Sequence, residues 1–149
     1  MMKTAVFHRP WWAVPVGLMF LAALIAFTGC DDDGVSATVN NTFTVSMTDI
    51  DTFSPAAIAV RPGARIIWIN NDGEAHTATT DPLNLAAGGP DSDVVYSNGV
   101  PPNATYTFIV PGDTPIGTVW FYHCRFHGVP GDGFGVGAGM AGSIRVVAR

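Results

Sequence analysis

From residue 42 onward, the chain is a succession of short apolar segments separated by glycine, proline, asparagine and aspartate. Apolar and polar side chains alternate in 42–49 and 104–110, which is the period of a strand with one buried face. The segment 64–70 is apolar on both faces, as in a central strand of a sheet. Because no segment has the period of a long amphipathic helix, the pattern predicts an all-β fold of the Greek-key β-sandwich type.

The turn residues divide this part of the chain into eight predicted strands with a loop over 81–93 that contains one helical turn. Met47, within the first strand and among apolar neighbours, is expected in the core. The predicted strands are 42–49, 57–60, 64–70, 75–80, 94–99, 104–110, 118–124 and 142–149.

The first 29 residues are typical of an export signal. Lys3, His8 and Arg9 precede an apolar run over 11–27, which ends in small residues before Cys30. The ending "AFTGC" resembles the lipobox of bacterial lipoprotein precursors, which implies cleavage before Cys30 and a lipid on its sulfur. An uncleaved membrane anchor and plain secretion are the alternatives. Each of the three places the rest of the chain outside the cytoplasm, and a lipoprotein would be membrane-anchored in the periplasm or at the cell surface.

The sequence therefore predicts a leader over 1–29, a polar tether over 30–41 and a single folded domain over 42–149. The full chain has a net charge of −5, and loss of the two leader cations lowers it to −7. A chain of this charge with no basic patch is not expected to bind nucleic acid.

The number of cysteines constrains the chemistry of this domain. The chain has two, Cys30 and Cys124. If Cys30 carries lipid, Cys124 has no disulfide partner in its own chain. A single cysteine in an exported domain indicates a reactive thiol, an intermolecular disulfide or a metal thiolate.

Histidines flank Cys124 in the sequence "WFYHCRFHG". Cys124 ends a predicted strand, and a turn after it can place His127 beside the sulfur. His123 points to the other face of a regular strand, and it is expected to be a surface residue because no second histidine cluster accompanies it. The second imidazole near Cys124 is therefore expected from His76, which follows the turn "NNDGEA".

A thiolate, two imidazoles and a weak axial thioether make up the ligand set of a type 1, or blue, copper centre. Because Met47 is expected in the core, the thioether is assigned to Met140, in the glycine-rich loop before the last strand. The sequence predicts one copper ion bound by His76, Cys124, His127 and Met140.

The stretches "WIN-ND…H" and "FYHCRFHG…GMAGSIRV" resemble the plastocyanin/azurin-type cupredoxins over about residues 42 to 148. The resemblance implies a protein that shuttles single electrons between redox partners, such as a cytochrome or an oxidase, rather than an enzyme. It implies that Cys124 is the charge-transfer thiolate, His76 and His127 are equatorial ligands and Met140 is the axial ligand. The edge of His127 would then face solvent at the place where partners dock transiently.

Two features depart from that family. Twelve residues, six of them glycine, separate His127 from Met140, which is more than the family usually has. Thr77 follows His76 where well-known members carry an asparagine that supports the sulfur. We expect Thr77 to donate through its hydroxyl or its backbone N–H instead.

Two other functions fit parts of the pattern. A copper-binding module for storage or delivery would also bind copper outside the cytoplasm, although such modules favour many exposed Met or His side chains and none are clustered here. A red-copper-like enzyme would use Glu74 in place of Met140.

Overall fold

The computed structural model describes residues 41–148, which form two four-stranded β-sheets. The predictions made for residues 1–40, including the lipidated Cys30, lie outside the described residues. No helix long and apolar enough to cross a membrane occurs among residues 41–148. The strands are β1 (Thr42–Thr48), β2 (Thr52–Ser54), β3 (Ala57–Val60), β4 (Arg65–Asn70), β5 (Thr79–Thr80), β6 (Thr105–Ile109), β7 (Val119–Val129) and β8 (Ala138–Val146).

The chain crosses repeatedly between the two sheets. One sheet has the strand order β2-β1-β4-β6 and the other has the order β3-β8-β7-β5. The pairs β1–β4 and β3–β8 are parallel, and the remaining pairs are antiparallel. The predicted all-β sandwich is confirmed.

Side chains from both sheets form one core. Val45 and Met47 on β1 are fully buried, as is Trp68 on β4. The Trp68 ring meets the ring of Tyr122 on β7 edge to face, with centroids 5.4 Å apart. Burying a large apolar side chain contributes roughly 1.5–3 kcal/mol, so these buried residues stabilise the packing of the two sheets. The expectation that Met47 belongs to the core is correct.

Two predicted strands have other structures. The segment 94–99, predicted as a strand, instead follows directly from a 3₁₀ turn at Ser92–Val94. In this turn the Asp91 side chain accepts a hydrogen bond from the N–H of Asp93. This local capping competes with strand pairing. The strand predicted over 75–80 is reduced to Thr79–Thr80. The three-residue β2 has no counterpart among the predicted strands.

The last two strands extend beyond their predicted bounds. β7 continues from Cys124 to Val129, and β8 begins at Ala138 rather than at residue 142. Met140 therefore lies within a strand and not in a loop. The glycine-rich residues between His127 and Met140 therefore belong to the end of β7, a connection over 130–137 and the start of β8. This arrangement places His127 and Met140 on adjacent strands.

Candidate metal centre

Three donor atoms of the predicted ligand set converge at one end of the sandwich. Cys124 Sγ lies 3.6 Å from His127 Nδ1 and 3.7 Å from His76 Nδ1, and the two Nδ1 atoms are 3.1 Å apart. Cys124 and His76 are fully buried, whereas the His127 side chain is 22% exposed. The structure thus brings these three side chains together, and their role as ligands remains a prediction.

The short strand β5 explains why residues so distant in sequence meet. Thr79 pairs with His123 and Thr80 with Tyr122, antiparallel. If the same register continued three residues back from Thr79, His76 and Thr77 would lie beside the residues that follow Cys124. His76 is also bridged to Val100 by two backbone hydrogen bonds, of 3.2 and 2.7 Å. His76 is therefore held by its bridge to Val100 on one side, and the next residue, Thr77, hydrogen-bonds the segment that carries Cys124 on the other.

The pairing of β7 with β8 shifts register at the site. His123 pairs with Ala141 and Gly128 with Gly139, so four residues of β7, 124–127, face one residue of β8, Met140. The surplus residues fold out as a large β-bulge, which turns His127 back toward the Cys124 sulfur. Met140 is fully buried and is the residue of β8 that faces this bulge. Its role as a ligand remains a prediction.

Glycines on both sides of the bulge allow the two strands to approach closely. Gly139 has φ +69°, and a Cβ built on it would lie 2.5 Å from the carbonyl oxygen of His127. A Cβ on Gly128 would collide with the carbonyl oxygen of Met140. Side chains cannot be accommodated at either position without moving backbone. Two of the six glycines between His127 and Met140 therefore serve the bulge itself.

Thr77 joins the two segments that carry the donor atoms. Its backbone N–H donates to Cys124 Sγ at 3.4 Å, and its hydroxyl oxygen accepts from the backbone N–H of Arg125 at 2.9 Å. Thr79 donates its hydroxyl to the same oxygen at 3.1 Å. Of the two routes expected from the sequence, the backbone N–H reaches the sulfur and the hydroxyl ties the segments together.

A carboxylate contacts the outer nitrogen of His76. Asp72 Oδ2 lies 2.8 Å from His76 Nε2, and Asp72 Oδ1 accepts from the N–H of Gly73. These two hydrogen bonds, that from His76 first, hold the pKa of the Asp72 carboxyl below its usual value. An ionised carboxylate only accepts hydrogen bonds, so this contact favours a hydrogen on Nε2, which in a neutral imidazole leaves the lone pair on Nδ1. Sequence reasoning missed Asp72, although it precedes His76 by four residues in the turn.

Looser contacts surround His127. Asp51 Oδ1 lies 3.4 Å from His127 Nδ1, and Glu74 Oε2 lies 3.5 Å from Nε2 on the opposite edge of the ring. The Glu74 side chain is 73% exposed, and it is absent from the group of donors that includes Cys124. Its position does not favour Glu74 as a ligand in place of Met140.

His123 is not the surface residue that the sequence suggested. It is buried, and its Nδ1 lies 2.6 Å from Asp81 Oδ1. The other oxygen of Asp81 accepts from the N–H of Gly131 at 2.7 Å. The fully buried carboxylate of Asp81 therefore links His123, the neighbour of Cys124 in β7, to the glycine-rich segment 130–137. It holds that segment against the sheet. Asp81 belongs to a segment interpreted only as a loop, so no sequence signal pointed to this role.

The two residues between Cys124 and His127 have different surroundings. Arg125 Nη2 lies 3.1 Å from Asp93 Oδ1 and donates to the Ser97 carbonyl at 2.8 Å. Phe126 is 48% exposed, with its ring centroid 6.2 Å from that of His127. Arg125 thus anchors the bulge to a neighbouring loop, while Phe126 presents an apolar surface next to the exposed histidine.

The donor set can be compared with the needs of a metal ion. Metal–nitrogen and metal–sulfur bonds of about 2.0 and 2.3 Å place the donors of one ion roughly 3.3–3.8 Å apart, and the observed separations are 3.1–3.7 Å. A thiolate with two imidazoles, next to a buried methionine, matches the soft and borderline donors of blue copper. The cluster fits a single type 1 copper site.

No protein-family model matches the chain. Among solved structures, the chain is similar to a reduced Cu(I) form of an amicyanin mutant at 17% identity and to an oxidised amicyanin mutant at 18%, each with a TM-score of 0.47 over 74% of this chain and 87% of that chain. A copper-containing nitrite reductase from Thermus scotoductus matches at 17% identity with a TM-score of 0.50 over 72% of this chain. This chain spans 23% of that reductase. The fold is a cupredoxin-like β-sandwich.

The hydroxyl of Thr77 provides a test of how the segments are held. In Thr77→Val the backbone N–H of Arg125 loses its acceptor, and we expect the free energy of unfolding of the metal-free protein to fall by about 1–3 kcal/mol. Thr77→Ser keeps the hydroxyl and serves as the control. Urea unfolding with chelator and reductant present measures both variants, and equal stability of the two would contradict the role given to the hydroxyl.

Proposed function

We propose that this protein is a type 1 copper protein that carries single electrons between redox partners outside the cytoplasm. The observation that carries the proposal is the buried thiol of Cys124 with the Nδ1 atoms of His76 and His127 within 3.7 Å. A structural histidine or cysteine needs no such convergence, since each would be satisfied by packing or by a single hydrogen bond.

His76, Cys124 and His127, with Met140 as a thioether donor, would hold a copper ion, which would supply one-electron chemistry through its Cu(I) and Cu(II) states. The residues of the chain keep the donors in place. The bridge to Val100 holds His76, the bulge positions His127, and the Thr77 N–H donates to the sulfur at 3.4 Å. Since the donors are already positioned, a change of charge requires little movement of the protein, which favours rapid electron transfer.

Electrons are proposed to enter and leave through His127. Its side chain is 22% exposed, whereas those of His76, Cys124 and Met140 are buried. The exposed ring of Phe126 lies beside it and provides apolar contact. A redox partner such as a cytochrome or an oxidase could approach this edge of the imidazole, in the small and short-lived interface typical of such encounters.

Storage or delivery of copper is less well supported. Within residues 41–148, a second group of possible donors consists of Asp51, Asp72 and His76. It shares His76 with the first group, so the two cannot hold separate ions independently. Met47 and Met140 are both fully buried, whereas a protein that hands copper to others needs accessible soft ligands.

A catalytic copper is also less well supported. An enzyme site keeps an open position for its substrate, and the red-copper alternative needs Glu74 at the metal. Glu74 instead lies on the outer edge of the His127 ring, 3.5 Å from Nε2. The nitrite reductase is a much longer protein, of which this chain spans 23%, so its likeness concerns the fold alone.

The location of the protein is proposed from its first 30 residues. The apolar leader and the "AFTGC" ending support export, followed by a lipid on Cys30 and a polar tether over 30–41. A carrier tethered in this way reaches partners at the same membrane surface.

Copper loading tests the function directly. Reduced, metal-free protein titrated with Cu(II) should bind one equivalent and turn intensely blue, because a thiolate bound to Cu(II) gives a strong charge-transfer band. Cys124→Ser should lose that colour, and Glu74→Gln should keep it. A pale or red product, or a colour lost with Glu74→Gln, would favour the enzyme alternative, and absence of copper uptake would contradict the proposal.

Lipid anchoring is tested by cell fractionation. The full-length protein, produced in a bacterium that processes lipoproteins, should be found in the membrane fraction and be released by detergent. In Cys30→Ala, we expect the precursor to remain uncleaved, with a higher apparent mass on a denaturing gel. A mature-length, membrane-free product from both chains would contradict lipidation and favour plain secretion.

A further inference from the structure

The imidazole of His76 is held at both of its nitrogens. Nδ1 faces the Cys124 sulfur at 3.7 Å, and Nε2 faces Asp72 Oδ2 at 2.8 Å. The ring is fully buried, and the Asp72 side chain is only 15% exposed. Asp72 Oδ2 is thus the acceptor that the structure places at Nε2.

Asp72 is itself aimed at the ring by the fully buried Asn70. Asn70 Oδ1 accepts from the Asp72 N–H at 2.9 Å, and Asn70 Nδ2 donates to the carbonyls of Glu74 at 2.7 Å and Val100 at 2.8 Å. Val100 also pairs with the backbone of His76. The turn that carries the carboxylate and the bridge that holds the histidine are thus tied to the same side chain.

Among residues 41–148, the second imidazole, that of His127, has no equivalent support. The carboxylates nearest to His127, those of Asp51 and Glu74, lie 3.4 and 3.5 Å away and belong to side chains that are 53% and 73% exposed. Their contacts are longer than that of Asp72 and are open to screening by water and salt. Of the two histidines that face Cys124, only His76 has a short contact with a carboxylate among residues 41–148.

A carboxylate that accepts from the far nitrogen of a ligand imidazole has two effects on a metal. It fixes the tautomer and the orientation of the ring, and it makes the coordinating nitrogen more basic. A more basic nitrogen and a nearby negative charge both stabilise the more highly charged ion, so Cu(II) gains more than Cu(I).

We propose that Asp72 is a positioning residue of the copper site, which orients His76 and shifts the balance of the bound metal toward Cu(II). The inference rests on the proposed function, because it concerns the reduction potential of the same copper site. Asp72 touches the histidine and not the metal, so its influence passes through the hydrogen bond to Nε2.

The reduction potential of the copper-loaded protein tests this role at constant pH and ionic strength. In Asp72→Ala, we expect the ratio of Cu(II) to Cu(I) affinity to fall about tenfold, which corresponds to a rise of about 59 mV for a one-electron couple. Asp72→Asn keeps an acceptor oxygen without the charge, so a smaller rise is expected.

Two control variants remove a negative charge without touching His76. Glu74→Gln removes the charge that lies beside His127, and Asp113→Asn removes an exposed charge in the turn after β6, at the end of the sandwich away from the site. Both variants should change the ratio of Cu(II) to Cu(I) affinity less than twofold. A shift in Asp72→Ala no larger than that in Glu74→Gln would overturn the proposal.

A second measurement uses metal-free protein and does not depend on electron transfer. Nitrogen-15 NMR of the His76 ring should show the Nε2–H tautomer in the unmodified protein and a mixture of tautomers in Asp72→Ala. An Nδ1–H tautomer in the unmodified protein would contradict the inference even if the variant does not fold. If copper turns the protein blue but neither potential nor tautomer responds to Asp72, the proposed function stands and this inference fails.

Discussion

The site depends on one irregularity in strand pairing. β7 and β8 are in register up to His123 and Ala141, and pair again at Gly128 and Gly139 with four residues facing one. Regular pairing throughout would alternate the side chains after Cys124 between the two faces of the sheet and carry His127 away along the strand. The bulge instead returns His127 to the sulfur, and the strand pairing on either side holds the two ends of the bulge.

Much of this could be predicted because the signals are local. Alternation in β1 and β6 reveals which faces are buried, and the order of histidine, cysteine, histidine and methionine suggests the donor set. The extension of β7 and β8 could not be predicted, because glycine between His127 and Met140 is equally typical of a loop. Only the positive φ of Gly139 and its closeness to the His127 carbonyl show that glycine is required by pairing.

Carboxylates that contact histidines are the part of the site that sequence reasoning missed. Asp72 and Asp81 stand in turns where an acid is ordinary, so nothing local distinguishes them from solvated residues. Folding places each beside a histidine, at 2.8 Å from His76 and 2.6 Å from His123. His123 was misjudged for the same reason, since its burial follows from a partner 42 residues away. Long-range polar pairs of this kind require the tertiary structure.

The central claim is that the chain positions its donor atoms before copper binds. Crystal structures of the metal-free and copper-loaded protein under the same conditions test it most directly. The account predicts one ion bound to Cys124 Sγ and to the Nδ1 atoms of His76 and His127, with Met140 facing it and unchanged side-chain rotamers in both structures. Copper bound elsewhere, or a histidine that must rotate to reach it, would contradict the account.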